Sequence, residues 1–181
     1  MKKLFIFFTI LILSTNTAFA ASDYLNEIGN YAIWPKKQLI KVYVDKNSKS
    51  AIAYKALKSW DDAGGGCFHF YNSSQDKAGI KIYYVESIDN NLPSKTDYTT
   101  NGKYMTSANV YIAYKKPGTN HYQSQEKMFS YTLHEVGHAL GLLGYTTEKN
   151  SIMNAQEVTS IHYLQLKDRT TIRKLYCHSL K

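Results

Sequence analysis

Residues 134–153 read HEVGHALGLLGYTTEKNSIM, and their first eight positions set what is expected of the rest. Phe129, Leu133, Val136 and Leu140 recur at helical spacing and predict a buried helix over residues 124–140. His134 and His138 lie four apart on that helix, so both imidazoles leave the same face and can share one metal ion. Glu135 projects beside the pair, as suits a base that takes a proton from a metal-bound water rather than a ligand. Zinc lowers the pKa of such a water to about 7, and the glutamate passes the proton to a leaving amine, which makes peptide hydrolysis the reaction class. An ordinary helix can also carry two histidines and a glutamate on its surface. Here Val136, Ala139 and Leu140 make the helix buried, Gly137 thins it, and Gly141 permits a sharp turn back toward the metal.

The pattern His134-Glu135-x-x-His138-x-x-Gly141 followed by Ser151-Ile152-Met153 resembles the metzincin signature, whose downstream methionine forms a turn beneath the zinc. Within that clan the chain resembles the matrixins. The likeness is strong at 134–153 and looser elsewhere, where it includes a helix ending in Trp60 and a late pattern of Leu164, Asp168, Ile172, Leu175 and Tyr176. It implies an α+β, zincin-like domain over residues 21–181, with a twisted mixed β-sheet, an active-site helix and a C-terminal helix. It further implies Zn2+ as cofactor, a protein or peptide substrate, and Met153 as a support rather than a ligand. The strand at Ala108–Tyr114 would be the edge that pairs with an extended substrate.

One position departs from the signature. A third histidine, or sometimes Asp, belongs six residues after His138, and Gly144 stands there. Two ligands alone hold zinc poorly. Counting back from Met153, matrixin-like sequences place the third ligand about eight residues earlier, which brings Tyr145 into the slot; a phenol must lose its proton to bind. Glu148 is a further candidate, and His162, His121, His69 and His178 are weaker ones. Ala155 occupies the place where some metzincins carry a tyrosine ligand. Two functions follow: an exported zinc endopeptidase, or a non-enzymatic binding module, for a peptide or an envelope protein, in which the lost ligand marks lost catalysis. Glu135 favours the enzyme, because a binder gains nothing from a buried general base.

Outward from this segment, alternation predicts strands at Gln38–Val44, Cys67–Tyr71, Ile80–Val85 and Ala108–Tyr114. Ile52, Ala56 and Trp60 predict a helix capped by Asn47 or Ser48 and ended by Gly64-Gly65-Gly66. Residues Ser87–Ser107 read as a polar loop, Leu164–Tyr176 as the last helix, and Ala21–Tyr31 carry no strong pattern.

Lys2 and Lys3, an apolar run from Leu4 to Leu13 and the small residues Ala18 and Ala20 read as a signal peptide cut before Ala21. The run is too short to span a bilayer, so no stable membrane anchor is expected, and the product is secreted or periplasmic. Cys67 and Cys177 would then meet an oxidising compartment, and a disulfide between them is expected. The net charge of +8 is spread among Tyr and Asn rather than lined along one helix, which argues against nucleic-acid binding. A monomer is expected.

Overall fold

The computed structural model describes residues 23–35, 39–154 and 161–177. The expected signal peptide, Ala155 and His178 lie outside them. Five strands, β1 (Ile40–Val44), β2 (Phe70–Asn72), β3 (Ile80–Val85), β4 (Ser94–Asn101) and β5 (Tyr104–Ala113), form one sheet in the order β2-β1-β3-β5-β4. The first four in that order pair in parallel, and β4 runs antiparallel along β5. This is the mixed-sheet α+β domain that the resemblance implied.

Alternation explains the inner strands. Ile40, Val42 and Val44, then Ile80, Ile82 and Tyr84, then Ala108, Val110 and Ile112 are buried on one face, while the residues between them look outward. Among the described residues, helices pack against that buried face. Helix α2 (Ser50–Gly64) turns Ala53, Ala56, Leu57 and Trp60 inward, and it packs on α3 (Gln125–Ala139) and α4 (Leu166–Cys177). Trp60 is fully buried and its indole N–H donates to the Leu133 carbonyl at 2.8 Å, fastening α2 to α3. The side chain of Ser124 caps α3 by accepting from the Lys127 amide. At its other end the carbonyls of Ala139 and Leu140, orphaned by the end of the helix, accept from the Trp34 indole at 2.9 Å and the Tyr176 hydroxyl at 2.7 Å. Cys67 and Cys177 are joined by a disulfide with Cα atoms 5.2 Å apart, pinning the end of α4 to the turn after α2. Closing a loop that long stabilises by roughly 4–5 kcal/mol in the chain-entropy model.

Four sequence expectations need correction. Residues 87–107 are not simply a loop: after a short 3-10 turn at Asp89–Asn91 they contain β4 and the tight turn at Gly102 into β5. The strand expected at Ala108–Tyr114 therefore is not an edge, since β5, which holds all of it but Tyr114, lies between β3 and β4; the edges of the sheet are β2 and, on this side, β4. Residues 67–71 enter the sheet only from Phe70, because Phe68 leaves the ladder to fill the core against Tyr176, ring centroids 4.8 Å apart. Neither Asn47 nor Ser48 caps α2: Asn47 accepts from the Lys49 amide in a turn just ahead of it, and Lys49 is the N-cap.

The unpatterned leader is a strap. It carries a one-turn helix, α1 (Leu25–Ile28), then Tyr31 bridges to Leu142 and Ile33 to Tyr104. Among the described residues no helix is long and apolar enough to cross a membrane.

Candidate metal centre and active site

His134 and His138 sit in the last two turns of α3, each nearly buried. The Nδ1 of His134 donates to the Ile152 carbonyl and that of His138 to the Leu142 carbonyl, both at 2.6 Å. A carbonyl only accepts, so each Nδ1 carries a proton, which leaves Nε2 as the atom of each ring that can ligate. The two Nε2 atoms are 3.0 Å apart. Burial, then the neighbouring His134, lowers the pKa of His138 to about 4, which keeps it neutral near pH 7. Nitrogens that close share a cation, either a proton in a hydrogen bond between them or a metal ion bound by both. An ion at the usual zinc–nitrogen distance of about 2.0–2.1 Å reaches both, and the carbonyl-bound Nδ1 atoms are the outer contacts that zinc-ligating histidines ordinarily make. The pair fits zinc.

Met153 packs against α3. It is fully buried, and a Cβ on Gly137 would stand 2.4 Å from its sulfur and 3.0 Å from the Trp60 ring, so the glycine in α3 is what lets the methionine turn approach the helix between the two histidine positions. The turn is held from α4 by Asp168, which is fully buried. Its Oδ1 accepts from the Ser151 hydroxyl and the Tyr24 phenol, both at 2.6 Å, and its Oδ2 from the amides of Gln165 at 2.8 Å and Ile152 at 3.4 Å.

The glycine at 144 has a packing cause. Gly141 bends the chain at φ +96°, and the returning segment runs along the strap, with Ala32 N–H bonded to the Gly141 carbonyl and Leu143 N–H to the Asn30 carbonyl. A Cβ at 144 would lie 2.4 Å from the Ile28 carbonyl oxygen. The strap fills the space that a side chain there would need. Gly144→His is accordingly expected to destabilise the fold by about 1–3 kcal/mol, the usual cost of overpacking, and to add no zinc affinity. Thermal unfolding and zinc titration check this, and a histidine variant that is both stable and tighter for zinc contradicts it.

Tyr145 follows at once and is brought to the site. Its ring centroid is 5.7 Å from that of His134, nearly parallel, and 5.2 Å from that of His138, edge to face. It remains 56% exposed, and partial burial, then the charge of Glu135, raises its pKa. Glu27 of α1 steadies its loop by accepting from both hydroxyls of Thr146 and Thr147 and from the Thr147 amide. The other candidates are engaged elsewhere or exposed: Glu148 pairs with Lys167, His162 with Ser130 and His69 with Asp61, while His121 is exposed before α3. Among the described residues no group of three or more His, Cys, Asp or Glu side chains is placed to hold a metal.

Glu135 is 4% exposed and turns toward β4. The Ser94 hydroxyl donates to its Oε1 and the Thr96 hydroxyl to its Oε2, each at 2.7 Å. Neither β4 residue was legible as part of the site. Their only sequence signal is their spacing of two, which places both on one face once a strand is recognised.

A family model for the matrixins, peptidase family M10, matches residues 29–177. Two solved structures of myroilysin superpose with TM-scores of 0.52 at 13% sequence identity, covering 80% of this chain and 95% and 86% of their own. At that identity the likeness concerns the fold. A comparison with curated proteins gives no match.

Proposed function

Since this chain belongs to the matrixin family of peptidases, we propose that it is an exported zinc-dependent endopeptidase in which His134 and His138 hold the ion and Glu135 is the general base. The observation that carries this reading is the pair of imidazole nitrogens converging at 3.0 Å beside a buried carboxylate. Zinc supplies a Lewis acid there, polarising the scissile carbonyl and acidifying water. The chain's own groups do the rest. Carbonyls of Ile152 and Leu142 hold both imidazoles in the ligating tautomer. Glu135 takes the proton from the attacking water and returns it to the leaving amine. The open edge of β4 receives the peptide as an added strand, in place of the β5 segment that the sequence suggested. Tyr145 is the proposed third ligand, and the signal peptide over residues 1–20 directs the protein across one membrane, to a periplasm or the medium.

Metal analysis of the purified mature protein, with casein as substrate, tests the reading. About one equivalent of zinc and cleavage that a chelator abolishes are expected; less than about a tenth of an equivalent after dialysis against zinc, with no cleavage, sinks it. Tyr145→Phe is expected to weaken zinc binding at least about tenfold, equivalent to 1.4 kcal/mol. Unchanged zinc affinity in that variant removes the phenol from the ligand set. A non-catalytic peptide-binding module is the second reading, favoured by Gly144 at the third-ligand position, and it predicts peptide capture without turnover.

A further inference from the structure

We infer that Ser94 and Thr96 are positioning residues that aim Glu135 and join its placement to the strand that receives the substrate. The inference rests on Glu135 being the base. A glutamate side chain turns about three bonds, and freezing it costs up to about 2 kcal/mol. Two hydroxyl hydrogens, one on each carboxylate oxygen at 2.7 Å, fix it from β4. The Glu135 main-chain carbonyl, 3.0 Å from the Thr96 oxygen, is the alternative acceptor for the same hydrogen, so the hydroxyl bonds to Glu135 whichever way it turns. Each carboxylate oxygen has a second acceptor position, and the base can still take a proton from water.

The backbone of the same two residues faces the other way. Ala113 N–H bonds to the Pro93 carbonyl, and Lys95 and Asp97 stand opposite Tyr111 and Asn109. In an antiparallel ladder bonded and non-bonded pairs alternate, so residues 93, 95 and 97 spend their main-chain groups on β5, while Ser94 and Thr96 present theirs to the open edge. A peptide added to that edge bonds to the very residues whose side chains hold Glu135. Its scissile bond and the base are then referenced to one rigid strand, the condition for a near-attack geometry.

The test uses zinc-loaded protein carrying Thr96→Val, Ser94→Ala, both together, and the hydroxyl-retaining Thr96→Ser. Each single hydroxyl loss is expected to lower kcat about tenfold and the double about 100-fold, with KM and zinc content within about twofold. Thr96→Ser is expected to stay within about twofold of the native kcat. A double variant with native kcat, or a Thr96→Ser as slow as Thr96→Val, overturns the inference. Crystal structures of native and doubly substituted protein decide it independently of turnover: the Glu135 carboxylate is expected to move by about 1 Å or more while His134 and His138 stay, and an unmoved carboxylate overturns the inference. If the native protein binds zinc and cleaves no peptide, the endopeptidase reading fails, and the crystallographic comparison still judges the two hydroxyls.

Discussion

Glu135→Ala is expected to bind zinc as the native protein does and to lose about 10²–10⁴ in kcat, the usual contribution of a positioned general base. The two halves of this result have separate causes. Neither imidazole depends on Glu135 for its tautomer, because the Ile152 and Leu142 carbonyls take the Nδ1 protons. Loss of the carboxylate therefore leaves the pair of Nε2 atoms and the Met153 packing on Gly137 as they are. Proton transfer is different: no other carboxylate stands beside the histidines among the described residues, so no acceptor replaces it. The Ser94 hydroxyl loses its acceptor, but its residue is only half-buried, and the Thr96 hydroxyl can turn to the main-chain carbonyl of residue 135 at 3.0 Å, so the cost in stability is small. Zinc content by elemental analysis and turnover of a peptide substrate are the measurements. Persistent turnover excludes Glu135 as the base, and loss of zinc shows that it acts by assembling the site instead.

The parts of the site that were legible are those where one local pattern carries both position and chemistry. On α3 the apolar stripe fixes which way the helix faces, and the same periodicity then places His134 and His138 together. Counting back from Met153 pointed to Tyr145, whose ring stands beside both imidazoles. Strand β4 was missed for a physical reason. An edge strand with one face over a helix and the other toward solvent needs no apolar alternation, and SKTDYTTN offers none. With β4 hidden, the hydroxyls that hold Glu135 and the true open edge were hidden too. The absence of a ligand at Gly144 could be read directly, whereas its cause could not, since the Ile28 carbonyl arrives from the far end of the chain and only packing brings it there.

Asp168 is another residue whose sequence position says little and whose burial says much, and Asp168→Ala is expected to cost at least about 3 kcal/mol. The variant strands the Ser151 hydroxyl, the Tyr24 phenol and the Ile152 amide in the interior, and the partly buried Gln165 amide beside them, each buried unsatisfied donor costing about 1–3 kcal/mol before the neighbourhood relaxes. Burial raises the pKa of the Tyr24 phenol, so it stays a donor and has no charge to draw water in. For a domain of this size the loss corresponds to a fall in Tm of roughly 6–12 °C. A second effect follows from where those donors sit. Ser151 and Ile152 open the methionine turn, and the Ile152 carbonyl orients His134. Once the turn loosens, His134 is free to rotate and zinc dissociates faster, although Asp168 lies in α4 and makes no contact with either imidazole. Thermal unfolding of the metal-free protein measures the first effect, and the rate of zinc loss to a chelator measures the second. A variant with native Tm removes the buried hub. A variant that is destabilised yet holds zinc as long as the native protein breaks the link from Asp168 through the turn to His134.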